Sequence, residues 1–177
     1  MNYGRVYWVT GLHNSGKTTI GTALYYELKK RRNNVVILDG DIMKDIASGT
    51  ETAEYNLKDR LIRAKRYSKM AKMLADQGLW VVVCAIAMFD EIRDWNRNNI
   101  KGYIEIFLEV PIEILKQRGN GKLYQSEEIT SYPKYPDLVV KNDGSIAVRE
   151  IVKSIKSIQP QNEEDYDRDR KDRKSVV

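Results

Sequence analysis

Residues 11–18 read Gly11-Leu12-His13-Asn14-Ser15-Gly16-Lys17-Thr18. The stretch matches G-x-x-x-x-G-K-[ST], the pattern of a phosphate-binding P-loop. In such a loop, backbone N–H groups surround the phosphates of a nucleoside triphosphate, and glycine permits an approach that a Cβ would block. The lysine adds a positive charge, and the threonine hydroxyl can bind Mg²⁺. We therefore expect ATP and Mg²⁺ as cofactors, bound through Gly11, Asn14, Ser15, Gly16, Lys17, Thr18 and Thr19.

The flanking residues predict the strand and the helix that a P-loop joins. Residues 6–9 are continuously apolar, as in a buried strand, and an apolar helix face follows over Ile20, Ala23, Leu24 and Leu28. That helix is predicted over about 17–32, and its partly positive N-terminal end points at the same phosphates. This order favours a P-loop over an ordinary glycine-containing turn.

The composition is that of one soluble globular domain. The chain has 177 residues, of which 42% are hydrophobic and 31% charged. It shows no membrane-spanning run and no signal-peptide pattern, and its single cysteine, Cys84, excludes an internal disulfide and suits a reducing cytosol. We expect a cytoplasmic protein without a membrane partner, in which Cys84 is a small buried apolar residue. The net charge of +5 suits an anionic nucleotide, whereas no nucleic-acid motif is present.

Strands and helices are predicted to alternate along the rest of the chain. Further strands are expected at 35–38, 79–86, 103–110 and 138–140, and further helices at 41–47, 57–77, 90–99, 111–118 and 146–158. This pattern predicts an α/β fold, a P-loop NTPase-type doubly wound parallel sheet of about five strands with helices on both faces. We expect a domain over 1–158 and a charged tail over 159–177.

Two carboxylates, Asp39 and Asp41, follow the second predicted strand. Ligands of open α/β sheets gather beyond the C-terminal ends of the strands, so this pair is well placed for Mg²⁺ or for a substrate hydroxyl. A turn with Asp41 capping the next short helix is an alternative, and both roles are compatible.

Two further segments are candidates for substrate contact. The long helix over 57–77 is strongly basic, which is typical of a solvated face but also suits an anionic substrate. The segment from Gly119 to Pro136 begins with glycine and ends with proline, which predicts a mobile flap over the sheet edge. Its tyrosines either stack on a base or pack the flap. His13 lies at a variable loop position, where the loop needs only backbone N–H groups, so we assign it no catalytic role.

Taken in order, these motifs resemble the adenylylsulfate (APS) kinase family over about residues 4–158. Members transfer the γ-phosphate of ATP to the ribose 3′-hydroxyl of adenylyl sulfate. The resemblance rests on the P-loop followed by Leu38-Asp39-Gly40-Asp41, Asp59-Arg60, Arg66, Ala71-Lys72-Met73-Leu74-Ala75-Asp76-Gln77-Gly78, Arg93-Asp94, Glu109-Val110-Pro111, Leu123-Tyr124 and Pro136-Asp137-Leu138-Val139.

The resemblance implies roles for individual residues. Lys17 and Thr18 would hold ATP and Mg²⁺, Asp39 would join Thr18 at the metal, and Asp41 would orient or deprotonate the acceptor hydroxyl. The catalytic set is thus Lys17, Asp39 and Asp41. The substrate-binding set is expected to be Lys44, Arg60, Arg63, Arg66, Lys122 and Tyr124.

Departures from the family pattern fall on the acceptor side. This chain has Lys44 where the family usually has an arginine and Arg63 where it has an asparagine. Residues 85–88 replace the family's Phe-Ile-Ser-Pro tract, and the lid is shortened to about 125–136. We therefore expect a nucleotide acceptor with a 5′-linked anionic group, either adenylyl sulfate or a cytidine diphosphoramidate-like compound, the latter typical of a capsule-biosynthesis branch. Alternatives outside this family are a nucleotide-binding P-loop regulator and a nucleic-acid 5′-end kinase. Self-association as a homodimer remains open.

Overall fold

The computed structural model describes residues 3–48, 57–119 and 131–158. The five strands are β1 (Val6–Gly11), β2 (Val35–Asp39), β3 (Trp80–Cys84), β4 (Tyr103–Glu109) and β5 (Leu138–Lys141). The helices are α1 (Lys17–Lys29), α2 (Gly40–Ser48), α3 (Leu57–Asp76), α4 (Asp90–Asn99), α5 (Ile112–Arg118) and α6 (Val148–Ser157). Lys122, Tyr124, most of the predicted flap and the tail over 159–177 lie outside the described residues. No helix in the described ranges is long and apolar enough to cross a membrane.

The sheet has the strand order β2-β3-β1-β4-β5, and every described pair of strands is parallel. This confirms the predicted doubly wound α/β fold. β1 lies at the centre, with Val6 paired to Val81 of β3 and to Tyr103 of β4. Because the P-loop follows β1, it lies at the C-terminal edge of the sheet, where ligands of such folds bind.

Two apolar cores cover the two faces of the sheet, as helices on both faces require. On β1, Tyr7 and Val9 face one core and Val6 and Trp8 face the other, because successive side chains of a strand point to opposite faces. The first core includes Ile20, Leu24, Ile151 and Ile155, from α1 and α6. The second includes Ala64, Tyr67, Phe89 and Ile92, from α3, α4 and the loop before α4.

Several element ends differ from the sequence prediction by a few residues, and the structure explains three of these differences. α1 ends at Lys29 rather than near residue 32, and the N–H of Arg31 bonds to the carbonyl of Leu28 in a tighter turn. α6 begins at Val148 rather than at 146, because Asp143 accepts bonds from the backbone and hydroxyl of Ser145 and forms a turn. β3 ends at Cys84 rather than at 86, where the chain leaves the sheet to form the wall of a cavity.

A buried ionic network, which the sequence analysis missed, ties α4 and β4 to residues 131–137, which include the end of the predicted flap. Glu105 is only 1% exposed on β4, and its Oε2 accepts a bond from Arg97 Nη2 at 2.8 Å. Arg97 Nη1 also donates to Asp137 Oδ2 at 3.1 Å, and this oxygen accepts the backbone N–H of Glu105 at 2.7 Å. Arg93 adds bonds to Ser131. Residues 131–137 are therefore fixed against the sheet.

Candidate active site

The P-loop adopts a left-handed backbone at two positions. Asn14 has a φ of 63°, which asparagine tolerates better than most residues, and Gly16 has a φ of 90°. A Cβ on Gly16 would lie 2.6 Å from Asn142 Nδ2, and one on Gly11 would lie 2.7 Å from Ser15 Oγ. The two glycines of the motif are thus required by close packing around the loop as well as by backbone angle.

Lys17 lies at the first position of α1 and folds back over the loop. Its Nζ donates a hydrogen bond to the carbonyl of Leu12 at 2.6 Å. Burial lowers the pKa of Lys17 to about 8, against the opposing charges of Asp41 and Asp39. A phosphate group is a stronger acceptor than this carbonyl and would favour the ammonium form.

Thr18 and Asp39 are joined directly. Thr18 Oγ1 donates to Asp39 Oδ2 at 2.8 Å, while Asp39 Oδ1 accepts the backbone N–H of Asp41 at 2.9 Å. Asp39 therefore caps α2, and the sequence-based alternative that Asp41 is the cap is wrong, because the helix already begins at Gly40. Asp41 is exposed on the first turn of α2, whereas Asp39 is 8% exposed.

These groups line one cavity of about 680 Å³ beyond the C-terminal ends of the central strands, within the size range of ligand pockets. Nine of the residues predicted from the sequence meet there, namely Asn14, Gly16, Lys17, Thr18, Thr19, Asp39, Asp41, Arg60 and Arg63. The other two predicted P-loop residues, Gly11 and Ser15, are buried beneath the loop.

One other predicted substrate residue in the described ranges, Arg66, lies away from this lining. Arg66 is exposed and is not part of the described lining of the cavity. It lies about 120° around α3 from Arg60, since each helical residue turns the chain by about 100°. Its predicted substrate contact stays a prediction. Lys44 lies on α2, one turn after Asp41, and Lys122 and Tyr124 fall outside the described residues.

The sequence analysis missed the wall of the cavity that follows β5. Asn142 Nδ2 donates to the carbonyl of Ser15 at 2.8 Å, and the carbonyl of Asn142 accepts a bond from Arg118 Nη2 at 2.8 Å. Further lining on this side comes from Gly144, Ile146, Ala147 and Val148. Ligands of open α/β sheets bind beyond the C-terminal ends of the strands, and the sequence analysis used this rule only for the end of β2. The same rule applied to the end of β5 would have identified Asn142.

The opposite wall comes from α3 and from the loop after β3. Ala85, Ile86, Ala87 and Phe89 line it, and Ala87 has a φ of 28°. The hydroxyl of Thr10 donates to the carbonyl of Ile86, and the N–H of Ser131 to the carbonyl of Met88. These bonds hold the loop in its unusual path. Positive φ outside glycine is uncommon and tends to occur at functional sites.

Cys84 and His13 also line the cavity. Cys84 is 2% exposed and burial raises its thiol pKa to about 12, which confirms the prediction of a buried apolar residue. His13 is exposed at the P-loop, and its pKa is lowered by partial burial and by the Lys17 charge, with Asp41 opposing.

The charge of the described lining favours an anionic ligand. Over the described residues, the lining has four basic side chains and only two acidic ones. The basic residues are Lys17, Arg60, Arg63 and Arg118, and the acidic residues are Asp39 and Asp41. The carboxylates and Lys17 lie together at the P-loop, while Arg60 and Arg63 project from α3. A P-loop at the central strand, an acid pair beside it and a basic cavity wall define a P-loop phosphotransferase.

Comparison with known proteins places the chain within that class. The family model described as adenylylsulphate kinase matches residues 3–135, and the chain belongs to this family. The protein is therefore an ATP-dependent kinase, which leaves the nucleotide-binding regulator unsupported as an alternative.

Individual relatives agree with this assignment. The cytidine diphosphoramidate kinase of Campylobacter jejuni is 44% identical over 119 residues, covering 67% of this chain and 68% of that protein. The adenylyl-sulfate kinase of Deinococcus deserti is 32% identical over 164 residues, covering 86% of this chain and 89% of that protein. The APS kinase of Mycobacterium tuberculosis, solved in complex with AMPPNP and APS, has a TM-score of 0.73 at 26% identity, covering 88% of this chain and 96% of that chain.

Proposed function

We propose that the protein transfers the γ-phosphate of ATP to the ribose 3′-hydroxyl of a nucleotide with a 5′-linked anionic group, and that this acceptor is a cytidine diphosphoramidate-like compound. The observation that carries the proposal is the single cavity in which the P-loop and the Asp39–Asp41 pair face the arginines of α3. It supplies a phosphate site, carboxylates for a hydroxyl and cations for a second anion.

Sheet topology separates the donor side from the acceptor side. The carboxylates follow β2, and β2, β3 and α3 lie on one side of the P-loop strand, while β4 and β5 lie on the other. An acceptor hydroxyl has to reach the carboxylates, so the acceptor takes the α3 side. The base of ATP then takes the opposite wall, which combines Arg118 with apolar Ile146 and Val148.

Thr18 and Asp39 fit a Mg²⁺ ion that accompanies ATP. Their side-chain oxygens are 2.8 Å apart, and hydroxyl and carboxylate oxygens are the ligands that Mg²⁺ prefers. In the described ranges no three His, Cys, Asp or Glu side chains gather, so phosphates and water complete such a site. An ion held there would neutralise charge on the phosphates, and Lys17 would add its own positive charge beside them.

Asp41 is the group that acts on the acceptor hydroxyl. It lines the cavity on the first turn of α2, two residues after Asp39, which caps this helix. Phosphoryl transfer depends mostly on positioning and charge neutralisation, so a carboxylate here orients the hydroxyl and accepts its proton.

The choice of acceptor follows from the cavity wall and from the relatives. Ala85 lines the cavity where the family pattern has an aromatic side chain, which removes a surface for stacking on adenine. The similarity to a cytidine diphosphoramidate kinase, at 44% identity, points the same way. Adenylyl sulfate is the second candidate, supported by the family model and by the Deinococcus relative.

A side-by-side kinetic assay tests the proposal. ADP release is followed with cytidine diphosphoramidate, adenylyl sulfate and plain nucleoside diphosphates, and ³¹P NMR locates the new phosphate. We expect the highest kcat/KM with cytidine diphosphoramidate and a product phosphorylated on the 3′-oxygen, with no turnover of the 3′-deoxy analogue. Selective turnover of adenylyl sulfate would establish the second candidate instead. A lack of turnover with every nucleotide would contradict both.

The homodimer, the cytoplasmic location and a place in capsule biosynthesis remain predictions. The same holds for substrate contacts by Lys44, Lys122 and Tyr124. Sedimentation at several protein concentrations would test self-association.

A further inference from the structure

Arg63 is the most buried of the cations in the described lining of the cavity. Its residue is 8% exposed, whereas Lys17 and Arg60 are half-buried and Arg118 is exposed. It lies one helical turn after Arg60 on α3, on the acceptor side of the cavity. The sequence analysis placed this residue in the substrate-binding set without a specific contact, and its burial points to a part of the substrate other than the anionic group.

The cavity wall around Arg63 is apolar and partly aromatic. Ala64, Tyr67, Ala85 and Phe89 line the cavity on this side and belong to the same hydrophobic core cluster. The hydroxyl of Tyr67 donates to the carbonyl of Gly40 at 3.3 Å, which fixes the ring beside the carboxylate loop. A diphosphate would lose hydration against such a wall, whereas a flat heterocycle replaces water with stacking and dispersion contacts.

The direction of α3 places Arg60 and Arg63 at different depths. The C-terminal end of α3 contacts the N-terminal end of β1, where Gly4 N–H donates to the carbonyl of Ala75 at 2.8 Å. α3 therefore descends from the cavity toward the far end of the sheet. Arg63 lies about 4.5 Å further along this axis than Arg60, at 1.5 Å per residue. Arg60 suits the anionic 5′ group, and Arg63 suits the base.

We infer that Arg63 reads the Watson–Crick edge of the acceptor base and selects cytosine, an inference that rests on the proposed nucleotide kinase activity. A guanidinium presents parallel N–H donors and prefers two adjacent acceptors. Cytosine offers such a pair in O2 and N3. Uracil places an N–H donor at N3, and adenine places an amino donor beside N1, so neither matches the fork. The asparagine of the family pattern carries both a donor and an acceptor, and the exchange for Arg63 changes what this position can recognise.

Binding and turnover with a set of bases test this role. The probes are CDP, UDP, ADP and GDP, assayed as acceptors, and their 3′-deoxy analogues, titrated calorimetrically with the donor site saturated by AMPPNP. The variants are Arg63→Lys, which keeps the positive charge but loses the two parallel N–H donors of the guanidinium, and Arg63→Gln, which loses both. Arg60→Lys is the matched control one turn away. Thermal unfolding shows whether each variant is folded.

The change in base selectivity shows whether Arg63 contacts the base or a phosphate of the acceptor. We expect the wild type to prefer cytosine, and Arg63→Lys and Arg63→Gln to reduce the ratio of CDP to UDP affinity by about 5- to 150-fold, the effect of one bidentate contact. Arg60→Lys should weaken all four nucleotides alike. Equal weakening of all nucleotides by the Arg63 variants would overturn the inference, as would a wild-type preference for guanine, whose O6 and N7 also match the fork. Binding of AMPPNP without turnover of cytidine diphosphoramidate, of adenylyl sulfate or of any of the four diphosphates would instead contradict the proposed function, and the inference with it.

Discussion

Thr18 Oγ1 donates a hydrogen bond to Asp39 Oδ2 across a gap of 2.8 Å. The bond joins the first turn of α1, the helix that follows β1, to the C-terminal end of β2. Asp39 is held on its other oxygen by the N–H of Asp41. The phosphate loop and the carboxylate pair are thus fixed relative to each other by the protein alone, and such preorganisation favours reactions in which charge has to be positioned.

Replacement of Lys17 by alanine is expected to reduce kcat/KM by about 10²-fold or more, because a charge at the transferring phosphate is lost. Circular dichroism and thermal unfolding should show an intact fold. The control is Lys29→Ala, at the far end of the same helix, where the side chain is exposed. Near-normal turnover by Lys17→Ala would contradict the assignment of the P-loop.

The carboxylates Asp39 and Asp41 are expected to differ in effect. Asp41→Asn should lower kcat by about 10²-fold with little change in ATP affinity, because it removes a charge that acts on the acceptor. Asp39→Asn should raise the Mg²⁺ concentration needed for half-maximal rate, since Asp39 is bonded to Thr18. Steady-state kinetics over a range of Mg²⁺ concentrations separates the two effects. The opposite outcome would exchange the two roles.

ATP affinity is expected to fall as the pH rises through about 8. Burial lowers the pKa of Lys17 to about 8, and phosphate binding favours the charged form. Below this pH the ammonium is already present, whereas above it binding has to take up a proton, so affinity should fall by up to about tenfold per pH unit. Calorimetric titration with AMPPNP between pH 7.5 and 9.5 measures this, and Lys17→Met should remove the dependence. A flat profile in the wild type would show that Lys17 does not titrate in this range.

Disruption of the buried network should destabilise the protein strongly. Arg97→Met leaves the Glu105 and Asp137 carboxylates, 1% and 9% exposed, without the guanidinium between them. The loss of one partner of a buried ion pair typically costs about 3–5 kcal/mol in the free energy of unfolding. Arg149→Met is the control, because Arg149 pairs with Glu150 on the surface and should cost about 0–1 kcal/mol. Urea denaturation compares the two variants, and equal stabilities would show that the network is not a major contributor.

The sequence by itself determined the fold and the P-loop and carboxylate side of the cavity. The P-loop spacing, the apolar strand runs and the periodic helix faces are local signals, and each predicted strand and helix of the described ranges is present. Lys17, Thr18, Asp39 and Asp41 could be predicted because each lies at a strand end or in the first turn of the helix that follows, and parallel strands bring these points to one edge of the sheet.

Only the tertiary structure decided which cations of α3 face the cavity, because helix phase relative to the sheet separates Arg60 and Arg63 from Arg66. Asn142 follows β5 and Arg118 ends α5, both far along the chain from the P-loop, and they join the site through bonds that no local pattern encodes. Glu105 lies between apolar residues of β4, and its pairing with Arg97 and Asp137 depends on the side-by-side packing of α4, β4 and β5. Local sequence sets which elements form, whereas contacts between distant elements set which of their side chains share a site.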